Sequence, residues 1–261
     1  DHLNDPMLGM EAELLSLKSD ALVVGIDSHK LGPGHAVAQI FDQIDLTAPL
    51  VINYCDFTCY WDFDDFVSFT EETQCDGAIP GYRDFHPHSL ADNRYAYVKE
   101  NEGWALDIRE KTPFTDTPMA EFASSGTYYF KSGEIAKHYI SHNMENGLTA
   151  NGEYYISLPY KPMLEDGLNV AIYELQHFMQ WGTPEDLEEY KYWSNIFRSL
   201  SEMESVGLNP EKGTMLLPMA GAGARFQSVG YDLPKPLIPV SGTEMSTQAM
   251  TTWPNHEKAV V

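Results

Sequence analysis

The sequence predicts an α/β fold: a mainly parallel, twisted sheet with helices on both faces. Three observations carry this. Short, fully apolar runs at residues 21–26 and 49–53 suit strands buried on both faces. Between them stand segments whose apolar residues recur at helical spacing. The two kinds alternate from the first residues onward, which is the rhythm of β-α-β units.

Residues 5–18 place Met7, Met10, Leu14 and Leu17 on one helical stripe, with Pro6 suited to a first turn. The run at 21–26 is the first expected strand. Gly32-Pro33-Gly34 breaks the chain, and 35–44 reads as a helix. The second strand, 49–53, leads to Asp56. Residues 61–72 are helical in pattern and 77–82 form a third strand. Residues 95–99 and 104–111 alternate like paired strands around the hairpin-type turn Asn101-Glu102-Gly103. A strand at 125–130 and a helix at 133–143 follow. Residues 153–164 read as a helix that Pro159 and Pro162 should bend or split. A strand at 168–175 precedes a long amphipathic helix at 184–200, for which Thr183 is the expected N-cap. Residues 201–214 have the composition of a linker. Beyond it come an apolar strand at 215–219, a small-residue loop at 220–224, a helix around 245–252, and a strand-like end at 258–261.

A chain of 261 residues holds one large α/β domain or two small ones. No apolar run reaches the ~18 residues of a membrane span. The opening D-H-L-N-D-P lacks the basic-then-apolar pattern of a signal peptide, so a cytoplasmic location is expected. Sixteen basic against 39 acidic residues give a net charge of −23. Such a surface repels nucleic acid and anionic lipid. It also repels nucleoside triphosphates at long range, so a nucleotide site needs its own cations and a divalent metal. Cys55, Cys59 and Cys75 are too few and odd in number for a disulfide framework, and point to a reducing compartment. Cys55 and Cys59 read as buried thiols near a strand end rather than metal ligands. His86-Pro-His88, with His29 and His35, fits no standard zinc spacing.

Residues 215–240 read M-L-L-P-M-A-G-A-G-A-R-F-Q-S-V-G-Y-D-L-P-K-P-L-I-P-V. This resembles the opening signature of the sugar-phosphate nucleotidyltransferases, the capsule and surface-polysaccharide enzymes above all. In that family the signature stands at the N-terminus. When 215–261 is set before 1–200, the other landmarks follow in the family's order: G-P-G-H-A-V, a strand ending in Asp56, I-R-E-K, S-S-G-T-Y-Y-F, N-G-E-Y-Y and W-G-T-P-E-D-L. One glycine-rich loop is weak evidence of kinship, whereas the joint set is specific. The resemblance implies a Rossmann-like, GT-A-like nucleotidyltransferase fold in circularly permuted order. Residues 1–200 would be the central and C-terminal parts of the domain, 201–214 a linker, and 215–261 the signature part of the same domain. The linker could span at most ~45 Å at ~3.3 Å per residue. A fragment of a tandem protein, cut within two successive units, would share the same local sequence.

The reaction so implied is attack of a phosphate monoester on the α-phosphorus of a nucleoside triphosphate, with loss of pyrophosphate. Two polyanions must be held in line and the developing charge stabilised. Ala220, Gly221 and Gly223 would let backbone approach the triphosphate. Arg225 would offer a planar fork of donors to phosphate oxygens. Lys235, fixed between Pro234 and Pro236, would place a compact cation on the α-phosphate or the incoming one. Asp56, at a strand end, would be a Mg²⁺ ligand. Lys111 would bind the acceptor phosphate and Glu110 its hydroxyls. Gly126 would let substrate lie against the backbone, and Glu153 is a second candidate for hydroxyl contacts. Gly32 and Gly34 stand where the family closes around the nucleobase.

Two departures stand out. Gln180 occupies the position where many relatives carry a second metal-binding aspartate, which leaves Glu185 or Asp186 as substitutes, or points to weakened catalysis. Ala224 replaces a Ser or Thr that would donate to phosphate. The expected partners are a nucleoside triphosphate, with CTP favoured by analogy, and a sugar or polyol phosphate. A homo-oligomer is compatible with the sequence. The alternative is a non-catalytic module that binds a nucleotide or nucleotide-sugar. A glycosyltransferase is a more distant third, since no acid-x-acid motif follows a strand.

Overall fold

The computed structural model describes residues 3, 5, 7–84, 86, 95–202, 214–219, 221, 223–251 and 258–260. The chain divides into two compact units, residues 1–195 and 196–261.

The first unit opens with helix α1 (Met10–Leu17), whose apolar stripe stays in solvent: Leu14 is 42% and Leu17 78% exposed. The expected strand at 21–26 forms no strand. An apolar run becomes a strand only where a neighbouring backbone accepts its hydrogen bonds. The chain continues through α2 (Pro33–Ala38), a 3₁₀ turn (Phe41–Gln43), β1 (Leu50–Asn53), β2 (Phe57–Tyr60), α3 (Phe63–Thr73) and β3 (Gly77–Tyr82). β1 alternates between half-buried and exposed residues, so it is not buried on both faces as expected. Asp62 caps α3 by accepting from the N–H groups of Asp64 (3.0 Å) and Asp65 (3.2 Å).

β4 (Ala96–Asn101) and β5 (Trp104–Glu110) form the expected hairpin. Glu102 (φ 51°) and Gly103 (φ 82°) make the two-residue turn whose twist suits the strands. β6 (Phe122–Ser124) and β7 (Thr127–Phe130) follow, then α4 (Gly133–Glu145), α5 (Tyr160–Glu165), β8 (Val170–Glu174), β9 (His177–Gln180) and α6 (Pro184–Glu202). The helix expected at 153–164 shrinks to α5. Its first half is irregular instead: Glu153 bridges back to Ala150 across a tight turn at Asn151 and Gly152, and residues 154–159 are coil and turn.

The mainly parallel sheet is corrected by the structure. Seven strands lie in the order β1-β7-β3-β6-β4-β5-β8, and β8 also pairs with β3, closing a partial barrel. Only the β3–β8 pairing is parallel; the others in this sheet are antiparallel. Only β4 and β5 are joined by a short hairpin turn; the other antiparallel pairs join strands far apart in sequence, so the alternation of strands and helices did not fix their direction. One core cluster gathers around Phe130, Ile140, Ile156, Tyr160 and Met163, and the alternate strand residues Ala78 and Tyr129 join a second cluster with Phe66. Tyr160 is fully buried, and its hydroxyl donates to the carbonyl of Tyr129 at 2.8 Å. Gly77 lets the β3 backbone lie on that ring, since a Cβ there would stand 2.8 Å from it.

β2 leaves this sheet and pairs antiparallel with β9, Phe57 opposite Gln180 and Tyr60 opposite His177. Cys55 is exposed, against expectation; Cys59 is half-buried and Cys75 buried. His86 is a core residue that packs on Tyr82, and its Nδ1 accepts from the N–H of Phe178 at 3.4 Å. His88 lies outside the described residues.

In the second unit β10 (Thr214–Leu216) and β13 (Lys258–Val260) pair in parallel. Between them run α7 (Ala224–Gln227), a 3₁₀ turn (Lys235–Leu237), a small hairpin of β11 (Pro239–Val240) and β12 (Thr243–Glu244), and α8 (Met245–Thr251). The strands expected at 215–219 and 258–261 and the helix near 245–252 are therefore present, somewhat shortened. The two ends of the chain, Asp1 and Val261, and most of the 201–214 linker lie outside the described residues.

Candidate functional site

The β2–β9 pairing decides the site. It places Asp56 opposite the turn after β9, where the N–H of Trp181 donates to the Asp56 carbonyl at 2.9 Å. Residues 125 apart in sequence thus meet. Around them opens a cavity of about 200 Å³ lined by Asp56, Gln180, Gly182 and Asp186, by Glu110 and Lys111 from the end of β5, and by Ser125 and Gly126 from the break between β6 and β7. Tyr54, Tyr128, Tyr155 and Phe178 complete its walls.

Asp56 is exposed. Its carboxylate has little spare room on one side. A Cβ on Gly182 would lie 2.9 Å from Asp56 Oδ2 and 3.6 Å from its Cγ. Gly182 is therefore the residue that makes space for this carboxylate. Beyond it, Thr183 caps α6: its hydroxyl accepts from the N–H of Asp186 (3.2 Å) and donates to Asp186 Oδ2 (2.7 Å). Asp186 is 6% exposed and already engaged as part of this cap.

Glu110 and Lys111 differ in environment. Glu110 accepts from Ser157 Oγ at 2.5 Å. Burial pushes its carboxyl above the ordinary value, with Ser157 and Lys111 opposing the shift. Lys111 sits in the left-handed region at φ 58°, unusual for a side chain with a Cβ. Its N–H donates to the Tyr95 carbonyl at 2.8 Å. Its Nζ donates to the Tyr155 hydroxyl at 2.6 Å and stands 4.4 Å from that ring's centroid. The Tyr155 hydroxyl in turn donates to Glu153 Oε2.

Gly126 (φ 97°) lies just before β7, and its carbonyl accepts from the N–H of Tyr54 at 3.0 Å. A Cβ there would press on Phe57 (3.1 Å) and Tyr54 (3.2 Å). Burial raises the Tyr54 phenol well above its usual value, so it stays neutral and accepts from the Ile156 N–H at 3.3 Å.

Gly32 and Gly34 do not line this cavity. They clasp a neighbouring segment: Gly34 N–H donates to the Tyr154 carbonyl at 2.7 Å, and a Cβ on either glycine would fall within 3.0 Å of Glu153 or Tyr154 atoms. A second cavity of about 270 Å³ also touches Glu110 but contains neither Asp56 nor Lys111. Sequence reasoning missed Tyr155, Ser157 and Gly182 as supports. Two of these stood inside motifs already singled out, N-G-E-Y-Y and W-G-T-P-E-D-L, yet only their contacts disclose the roles.

In the second unit the loop and the P-K-P segment meet. Gly223 takes φ 65° before α7, and a Cβ there would lie 3.2 Å from the Lys235 Cβ. Lys235 Nζ lies 5.9 Å from the Phe226 ring centroid. Arg225, Lys235 and Gly221 are exposed. Ala220 lies outside the described residues.

Among solved structures, the chain is similar to a nucleoside-diphosphate-sugar pyrophosphorylase from Vibrio cholerae RC9, at TM-score 0.54 and 15% identity over 72% of this chain and 76% of that one. It is similar to a UDP-glucose pyrophosphorylase complexed with UDP-glucose, at TM-score 0.53 and 17% identity over 77% and 76%. The apo form of a UDP-glucose pyrophosphorylase gives TM-score 0.53 and 16% identity over 76% and 71%. The chain shares the mixed α/β fold of these enzymes. No protein-family model matches the sequence, and no curated protein matches it. Among the described residues no helix is long and apolar enough to cross a membrane.

Proposed function

We propose that the protein is a nucleotidyltransferase. It transfers a nucleoside monophosphate from a triphosphate to a sugar-1-phosphate or similar small phosphate ester, in the supply of surface-polysaccharide precursors. One observation carries this reading: Asp56 and the Glu110-Lys111 pair line one cavity, in a fold shared with nucleotide-sugar pyrophosphorylases. An acceptor phosphate oxygen attacks the α-phosphorus. The new O–P bond forms as the bond to the bridging oxygen breaks, and pyrophosphate leaves with that electron pair. The nucleophile is already anionic, so positioning and charge stabilisation do the catalysis.

Lys111 binds the acceptor phosphate and Glu110 accepts from its hydroxyls. Arg225 and Lys235, with the loop at Ala220, Gly221 and Gly223, serve the triphosphate. That assignment rests on the resemblance of residues 215–240; in the first unit's cavity Lys111 is the one cationic side chain among the described lining residues, against Asp56, Glu110 and Asp186. Asp56 fits a magnesium ion, which asks for one or two carboxylates and takes its other ligands from phosphates and water. When bound, magnesium would neutralise phosphate charge. Gln180 shares the cavity as a neutral oxygen donor. We further read the order of segments as a circular permutation, with 215–261 the signature part of the same domain. Gly32 and Gly34 are retained as candidates for the nucleobase side.

The test is magnesium-dependent pyrophosphate release. The purified protein is offered CTP, UTP, dTTP and GTP with a panel of sugar and polyol phosphates, CTP first. Turnover that disappears in Asp56→Ala and Lys235→Ala supports the reading; no turnover with any pair overturns it. Gln180 specifically favours one second reading, a nucleotide-sugar-binding module without catalysis. Calorimetric binding of nucleotide without turnover would select it.

A further inference from the structure

Glu153 stands in the same hydrogen-bonded chain as Lys111, and this suggests a role other than touching substrate. The chain runs Lys111 Nζ, then the Tyr155 hydroxyl at 2.6 Å, then the Glu153 carboxylate. The ammonium thereby stands 4.4 Å from the Tyr155 ring centroid. At its other end Lys111 is tied by its N–H to Tyr95 and bent into a left-handed backbone. A lysine on a four-carbon stem samples many rotamers. Here one rotamer is held by a phenol that receives a charge-assisted hydrogen bond. The phenol can serve only if its own proton points elsewhere. Glu153 takes that proton, which leaves the tyrosine lone pairs facing Nζ.

We propose that Tyr155 is a positioning residue for Lys111, and that Glu153 acts through Tyr155 rather than on substrate hydroxyls. This rests on the reading that Lys111 binds the acceptor phosphate. Tyr155→Phe keeps the ring and removes the hydroxyl. Glu153→Ala removes the acceptor for the phenol proton, and Glu153→Gln keeps one in its amide oxygen.

Two measurements test it. The first needs no turnover: trace acetylation with acetic anhydride, read by mass spectrometry for each lysine, with Lys191 as an internal standard. Lys111 labelling should rise several-fold in Tyr155→Phe and Glu153→Ala and stay near wild type in Glu153→Gln. Unchanged labelling in Tyr155→Phe overturns the proposal. The second is steady-state kinetics. Tyr155→Phe should raise the acceptor KM about tenfold, the size of one charge-assisted hydrogen bond, with the triphosphate KM unchanged. The Tyr155→Phe/Glu153→Ala double variant should be no worse than Tyr155→Phe alone. Additive losses that appear only with hydroxyl-bearing acceptors would return Glu153 to the substrate and overturn the proposal. Where nucleotidyl transfer is absent but the labelling pattern holds, the lysine latch stands and the proposed function falls.

Discussion

Gly182→Ala is the sharpest test of how the cavity is built. A Cβ at this position would lie 2.9 Å from Asp56 Oδ2, whereas comfortable contact is nearer 3.5 Å, so the carboxylate must retreat by about 0.5 Å. Catalytic constellations tolerate about that much displacement before they fail, and about 1 Å costs on the order of 100-fold. We expect pyrophosphate release to fall roughly 10- to 100-fold at fixed magnesium, with more magnesium needed for half-maximal rate. Stability should barely move. The Gly182 backbone is outside the left-handed region and the displaced group is exposed, so a change within about 0.5 kcal/mol is expected. The assay is coupled pyrophosphate detection across a magnesium titration. Binding of Mn²⁺ followed by electron paramagnetic resonance serves as the readout without turnover. A folded Gly182→Ala protein with wild-type metal dependence in both would refute the placement of Asp56 as metal ligand.

Glu110→Gln links stability to pH. A carboxyl whose pKa is raised on folding supports the native state below its ordinary value of 4.5, and that support is lost as pH rises through the native value. The glutamine variant should therefore unfold at higher urea than wild type at pH 7.5 and match it near pH 4, while losing acceptor affinity; a less stable variant at pH 7.5 would contradict the burial argument. Gly126→Ala should cost about 1–3 kcal/mol in urea unfolding, because the residue is left-handed and crowds Tyr54 and Phe57. Asn143→Leu should gain about 1 kcal/mol in the same measurement, since Asn143 is 2% exposed and neither polar atom of its side chain finds a partner among the described residues; a loss of stability would show that the amide is satisfied.

Local signals served best where the chain pairs with itself nearby. The β4–β5 hairpin, the α6 start and the Gly77–Tyr82 strand follow from turn residues, a cap and a short buried run. They served worst where an apolar pattern had no neighbour to decide it. Residues 21–26 look like a buried strand and form none, and the apolar stripe of α1 stays in solvent. Strand direction was equally illegible. The alternation of apolar runs and helices suggested parallel crossovers, but antiparallel β6, β7 and the β4–β5 hairpin dominate the sheet.

The sequence by itself determined the chemistry on offer: a carboxylate at Asp56, the Glu110-Lys111 pair, a Gly-rich loop followed by P-K-P, and a net charge of −23. These depend on side-chain type and on spacing within a few residues. The tertiary structure alone decided that Asp56 lies against Trp181 and Gly182, that Tyr155 holds Lys111, and that Gly32 and Gly34 clasp Tyr154 instead of lining the cavity. Such contacts join residues tens to more than a hundred positions apart. They depend on strand register and close packing, which no local pattern encodes.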